Sequence, residues 1–252
     1  MVAGRQVGGT GYRGEYFTRD RALDAQKNEL KPWQKRMWCI PKASAEYVAC
    51  MEGVLDLYEQ PYDPKRPLVC FDEWLKQLIE ETRTGLPPEP GQVERYNYEY
   101  RRNGVRNLNL CFEPQVGQRH VKFTERHTMH DFAHCVKWLV DEIHPSAEIV
   151  RIVLDNLKTH KPAALYKTFP PVEVLRILKK LGVHYKPKHA SWLNMAEIEL
   201  SVFGRRLKKY IPDDETLVIE VDALVDDRNG TDATVDWLFR TDDTSVQSNI
   251  IV

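Results

Sequence analysis

Two apolar runs in this chain end in aspartate. "LVCFD" delivers Asp72 and "IVRIVLD" delivers Asp155, each from a stretch that reads as a buried strand with a carboxylate at its tip. A third acid, Glu197, stands in the first turn of the helix predicted from Asn194 onward in "LNMAEIELSVFGRRLKKY". In α/β sheets, ligands gather outside the carboxyl ends of parallel strands. If the two strands are neighbours, Asp72 and Asp155 lie side by side and Glu197 can face the same edge. Three converging carboxylates repel, and one would take up a proton unless a cation relieved them. Their hard oxygens suit Mg²⁺ or Mn²⁺. Two such ions about 3.5–4 Å apart activate an attacking oxygen and stabilise a leaving one in phosphodiester chemistry. The plainer reading is that an aspartate after a strand caps the next helix.

The elements that must position these acids follow from periodicity. "AEYVACMEGVLDLYEQ" (45–60) repeats apolar residues at helical spacing and is broken by "PYDPKRP". The strand "LVCFDEW" (68–74) follows, then a Pro/Gly loop. "RYNYEYRRNG" and "NLNLCFEP" read as two strands separated by a turn at Asn103 and Gly104, and "RHVKFTER" as a further strand. "DFAHCVKWLVDEIHP" is a helix ended by Pro145; "IVRIVLDN" is the strand bearing Asp155; "PPVEVLRILKKLG" is a helix with Pro at its start and Gly at its end; "VHYKPK" is a short strand. Early antiparallel strands followed by alternating helices and strands predict an α/β fold, a mixed sheet with helices packed on it. A short helix is expected within 20–27.

Other clusters carry weaker chemistry. His127, His130, His134 and Cys135 resemble zinc ligands, but no second ligand pair follows at a zinc-finger distance, and a solvated helix start is the better reading. Lys179, Lys180, Lys186, Lys188 and His189, then Arg205, Arg206, Lys208 and Lys209, form a basic segment flanking the acids; such a run is usually a solvated face, and here its place beside the acids also suits phosphate neutralisation. Tyr185 and Trp192 are expected to pack in the core rather than stack on bases.

Bulk composition excludes several classes. The chain has 252 residues, 42% hydrophobic and 29% charged, with a formal net charge of -1. That near-neutral balance hides a basic stretch over 179–209 and an acidic one over 213–243. Five scattered cysteines without a CxxC pair argue against a disulfide framework and for a reducing cytosol. No apolar run of membrane length and no charged-then-apolar leader occurs, so a soluble intracellular protein is expected.

"PLVCFDEW", "VLDNLKTH" and "KPKHASWLNMAEIELSVF", supported by "MEGVLDLY", "NLNLCFEP" and "DFAHCVKWLVDE", resemble the DDE transposases of bacterial insertion sequences. They are most similar to the six-thirty family of the mariner-like superfamily, over about residues 28–243. The resemblance implies an RNase H-like (integrase core) fold and DNA strand cleavage and transfer with two Mg²⁺ or Mn²⁺ ions. It places the catalytic and metal-binding acids on Asp72, Asp155 and Glu197. The competitor Glu199 points roughly 200° around the helix from Glu197, and motif position favours Glu197. Asn156, His160, Ser191 and Asn194 are implied to line the site or hold phosphates, although the two asparagines also suit turn and helix caps. Implied partners are transposon-end and target DNA and a second copy of the chain, with no membrane and no small-molecule cofactor, in the bacterial cytosol beside the nucleoid. The expected organisation is an arm and linker remnant over 1–43, the catalytic domain over 44–212 and an acidic extension over 213–252. The family's helix-turn-helix and basic tail are not recognisable at the two ends. The alternative expectation is therefore an inactive, truncated remnant that at most binds DNA or a full-length relative.

Overall fold

The computed structural model describes residues 44–83, 85–95, 98–188, 190–231, 233–235 and 237. The expected arm, the helix within 20–27, His189 and the final "TSVQSNIIV" lie outside the described residues.

Helix α1 (Ala45–Glu59) starts where the Ser44 hydroxyl accepts from the Tyr47 amide at 3.1 Å. Five strands follow in chain order: β1 (Leu68–Glu81), β2 (Tyr100–Glu113), β3 (Gln118–Thr124), β4 (Val150–Leu154) and β5 (Leu181–Tyr185). They form one sheet in the order β3-β2-β1-β4-β5. The β1–β2 and β2–β3 pairs are antiparallel, and the β1–β4 and β4–β5 pairs parallel. This is the mixed sheet that the element order predicts. Between β3 and β4 lies α2 (Met129–Trp138), opened by a Thr128–Asp131 capping box and prolonged by a π-helical turn over Leu139–Ile143. Helices α3 (Ala163–Thr168) and α4 (Pro171–Lys179) join β4 to β5, and α5 (Met195–Arg206) and α6 (Asp214–Gly230) follow.

Two features differ from the sequence reading. Asp72 is not at a strand tip, because β1 runs on to Glu81. What ends near Asp72 is its parallel partner β4, paired with β1 only over Leu68–Cys70. Asn103–Gly104 is also not a turn between two strands, since β2 passes straight through it. Gln77 faces Val105 but Ile79 faces Arg102, so three steps on β2 oppose two on β1. Gly104, at φ 109°, absorbs this bulge. The Asn-Gly signal marks a backbone that needs positive φ, which a bulge satisfies as well as a hairpin turn does.

Strand alternation sorts the core into two layers. Cys70, Val153, Leu110 and Phe112 join residues of α1, α5 and α6 on one face. Val69, Phe71, Ile152 and Leu154 join α2, α3 and α4 on the other. The acidic segment past residue 212 contributes to the first layer through Leu217, Val221 and Leu224 of α6.

Candidate active site

The sheet register brings the two aspartates together. Cys70 pairs with Val153 in the parallel β1–β4 ladder, so two residues further on each chain Asp72 and Asp155 stand level. Alternation turns Asp72, like Cys70, toward the layer that holds α5. Glu197 lies in the first turn of α5.

Asn194 ties that helix to β1. Its side-chain oxygen accepts from the Ala196 amide at 3.2 Å and caps α5. Its Nδ2 donates to the Phe71 carbonyl at 2.9 Å and to Asp72 Oδ2 at 3.3 Å. The residue that caps α5 is thus also in contact with Asp72. Beneath it, the Tyr58 hydroxyl donates to the Leu193 carbonyl at 2.5 Å, fixing the approach to the helix.

Asp72 feels both other acids. Burial raises the Asp72 carboxyl to about 6, opposed by the Glu73 amide and Lys186 and reinforced by Glu197 and Asp155. The Glu73 amide donates to Asp72 Oδ1 at 2.8 Å. Asp155 goes the other way. Burial opposes its ionisation, but the hydrogen bond from His160, His160's charge and the Leu157 amide hold it below the usual carboxylate range. His160 Nδ1 meets Asp155 Oδ1 at 2.5 Å, and its Nε2 meets Glu73 Oε1 at 3.2 Å. Burial pushes the imidazole down, yet these two carboxylates prevail and carry it up to about 9. Glu197 accepts from the Lys186 ammonium.

The remaining residues of interest fall at varied distances from this cluster. Asn156 donates to the Lys186 carbonyl at 3.0 Å and accepts from Lys161 at 2.8 Å, closing the loop after β4 onto the end of β5. Ser191 is exposed at the start of the short turn before α5, and Lys188 is exposed beyond β5. Arg205 and Arg206 sit in the last turn of α5, about 12 Å along the axis from Glu197 at 1.5 Å per residue. Arg206 is engaged by Asp227 at 2.7 Å. In the His/Cys segment, His130 contacts the Thr168 hydroxyl and His134 packs edge-on to Phe169.

Glu199 is committed elsewhere. Its buried carboxylate receives Arg119 Nε at 2.8 Å and Nη2 at 2.9 Å, and Arg228 Nη2 at 2.6 Å. This pins α5 to β3 and α6 and leaves Glu197 as the α5 acid beside the aspartates. Sequence reasoning missed both this network and Glu73. For Glu73 the one available signal was a second acid immediately after Asp72.

Among the described residues, no three His, Cys, Asp or Glu side chains stand close enough, as placed, to hold a metal ion. In donor chemistry the acids nonetheless suit one. All three are hard carboxylates, and burial, with a smaller push from Glu197 and Asp155, keeps Asp72 protonatable near neutrality.

A five-stranded mixed sheet flanked by helices, with Asp72 on its central strand and Asp155 just past the end of the neighbouring β4, is an RNase H-like fold. The chain belongs to the DDE superfamily endonuclease family, whose sequence model matches residues 67–218. Among solved structures, it is similar to the Mos1 mariner paired end complex with Mn: TM-score 0.52, 16% identity, 92% of this chain and 77% of that one covered. It is also similar to the Mos1 strand transfer complex, with TM-score 0.53, 15% identity, and 84% of this chain and 65% of that one covered. At such identity the likeness speaks for the fold. Comparison with curated proteins gives no significant match. Among the described residues, no helix is long and apolar enough to cross a membrane.

Proposed function

We propose that this chain is the catalytic domain of a DNA transposase, cutting a DNA strand and joining the freed 3′-hydroxyl to target DNA. The observation that carries the reading is the level placement of Asp72 and Asp155 on the face covered by α5, with Glu197 close enough to act electrostatically on Asp72. Asp72, Asp155 and Glu197 are the residues to hold two Mg²⁺ or Mn²⁺ ions. Bound there, divalent cations supply Lewis-acid charge neutralisation for in-line displacement at phosphorus.

The chain's own side chains do the rest. Asn194 holds Asp72 in place through its amide. Lys186, paired with Glu197, supplies a positive charge at the rim that an incoming phosphate can share. Lys188, His189, Arg205 and Arg206 are the proposed phosphate contacts, Arg206 by exchange from Asp227. Ser191 and Asn156 line the approach. Two copies working on paired DNA ends, in a bacterial cytosol, complete the proposal.

The test is a metal-dependent nicking assay on element-end DNA, with Asp155→Asn as control. Equal nicking by wild type and variant would discard the site. The alternative, a folded remnant that binds DNA without cutting, finds support in the internal cations already paired with Asp155 and Glu197. It predicts retained DNA binding with no metal-dependent cleavage. Cleavage of an RNA–DNA hybrid in preference to duplex DNA would point to a host-type nuclease instead.

A further inference from the structure

We propose that Glu73 is a positioning residue for strand cleavage: through His160 it forms a clamp that fixes the orientation of the Asp155 carboxylate. The inference rests on the reading of Asp155 as a catalytic acid, and it adds a residue that neither motif nor family match assigns.

Asp155 needs such a device. The last paired residue of β4 is Leu154, opposite Tyr185. One step beyond, no ladder bond of the sheet holds Asp155. Its Oδ1 is met by the Leu157 amide at 3.3 Å and by His160 Nδ1 at 2.5 Å. The orientation of this carboxylate is therefore as good as the orientation of the imidazole.

The imidazole is held from every side. Its side chain is 1% exposed. Phe132 lies against it at 4.6 Å between ring centroids with a 31° tilt, and Phe71 meets it edge-on at 5.3 Å and 82°. The residue's backbone is pinned as well, its amide donating to the Leu157 carbonyl at 3.1 Å and its carbonyl accepting from the Tyr185 hydroxyl at 3.0 Å. Rings hold the plane of an imidazole but leave open which of two flipped orientations it takes. Glu73, on the second nitrogen, decides this, because a carboxylate at each nitrogen requires a donor at each.

The position of Glu73 fits this role. Strand alternation turns it away from Asp72, into the layer of Phe71 and α2. It cannot join the acids on the α5 side, and a half-buried carboxylate there requires a partner. The partner is 87 residues on, in the loop that carries Asp155. Adjacent residues of β1 thus serve both aspartates: Asp72 as an acid of the site, Glu73 as the far end of the support for Asp155.

The experiment uses the full chain with Glu73→Ala, Glu73→Gln and Asp155→Asn. Two quantities are read: Mn²⁺ binding by calorimetry without DNA, and nicking kinetics resolved into kcat and KM for DNA. Loss of a residue behind a metal ligand costs about ten- to a hundred-fold in affinity or rate. Glu73→Ala is expected to weaken Mn²⁺ binding and lower kcat by that factor, with KM for DNA unchanged within about twofold. Glu73→Gln, which keeps an acceptor oxygen of the same reach, is expected to restore most of both. A purely structural role would lower the melting temperature without splitting kcat from KM and without rescue by glutamine. That pattern, or wild-type Mn²⁺ affinity in Glu73→Ala, overturns the clamp. If Asp155→Asn binds Mn²⁺ and nicks as wild type does, the site reading itself has failed. If Asp155→Asn is inactive while Glu73→Ala is normal, the clamp alone has failed.

Discussion

Glu199→Gln separates the two acids of α5 and tests the assignment of each. The Glu199 carboxylate is 2% exposed and Arg119 is wholly buried, so their bidentate contact is sealed from water, with Arg228 completing the group. Glutamine keeps the volume and removes the charge, leaving the Arg119 cation buried without a carboxylate, beside the Gly117, Arg228 and Ala233 carbonyls and the Phe112 ring. Breaking one partner of a buried pair costs about 3–5 kcal/mol. For a domain of this size each kcal/mol shifts the melting temperature by about 2–4 °C, so the expected loss is about 6–20 °C. The pH dependence has a defined sign. Burial opposes ionisation of Glu199, but Arg119 and Arg228 hold it below its ordinary value of 4.5. Its contribution is present above that value and is lost as pH falls through the lower folded value, so the variant's stability should fall less steeply than the wild type's on that acid limb. Urea denaturation followed by circular dichroism between pH 3 and 7 reads both effects. Below its melting temperature, Glu199→Gln should bind Mn²⁺ normally, whereas Glu197→Gln should keep the wild-type melting temperature and lose Mn²⁺. A loss of stability under about 1 kcal/mol, the range of exposed pairs, or an exchange of the two phenotypes, would refute the reasoning.

Asp72→Asn should reduce nicking by more than the roughly hundredfold typical of residues behind metal ligands, with circular dichroism confirming the fold. Lys188→Ala should lower the slope of log binding constant against log salt by about 0.9 on duplex DNA, the signature of one lost phosphate contact. Burial, reinforced by His120 and Lys180 and opposed by Glu113, holds the His144 imidazole below 6.5. The unfolded chain then binds the extra proton, so stability should fall as pH drops below 6.5, and His144→Phe should flatten that slope in urea midpoints. Gly104→Ala forces a side chain onto φ 109° and within 3.4 Å of the Arg106 guanidinium, and should cost about 1–3 kcal/mol by the same measurement.

The parts of the site legible in the sequence were those governed by local pattern. Buried parallel strands read as continuous apolar runs, so the strand that precedes Asp155 was visible, and Asn194 announced a helix start that placed Glu197. The family came from motif likeness and not from periodicity. What stayed hidden depended on pairing. The length of β1 was obscured because its outer half, from Glu73 to Glu81, mixes polar and apolar residues and leans on β2 for its hydrogen bonds. Asn103–Gly104 carried a true backbone signal whose meaning only the opposite strand could settle. Helix α6 was masked by acidity, although Leu217, Val221 and Leu224 recur at helical spacing after the Asp213 cap. Glu73 and Arg119 escaped because each meets its partner across 80 residues or more, a distance at which no local pattern speaks.

The side-by-side register of β1 and β4 makes spacing a heritable constraint in its own right, beside residue identity. Inserting or deleting one residue between Leu68 and Asp72 would leave the strand able to pair, yet would swap which of the adjacent acids looks toward α5. Such a frame-preserving change alters composition by a single residue, yet it also exchanges the buried side chains of Leu68–Phe71 between the two core layers. Lineages carrying this domain should therefore hold the length of "LVCF" fixed even where its buried side chains are exchanged for others of similar volume.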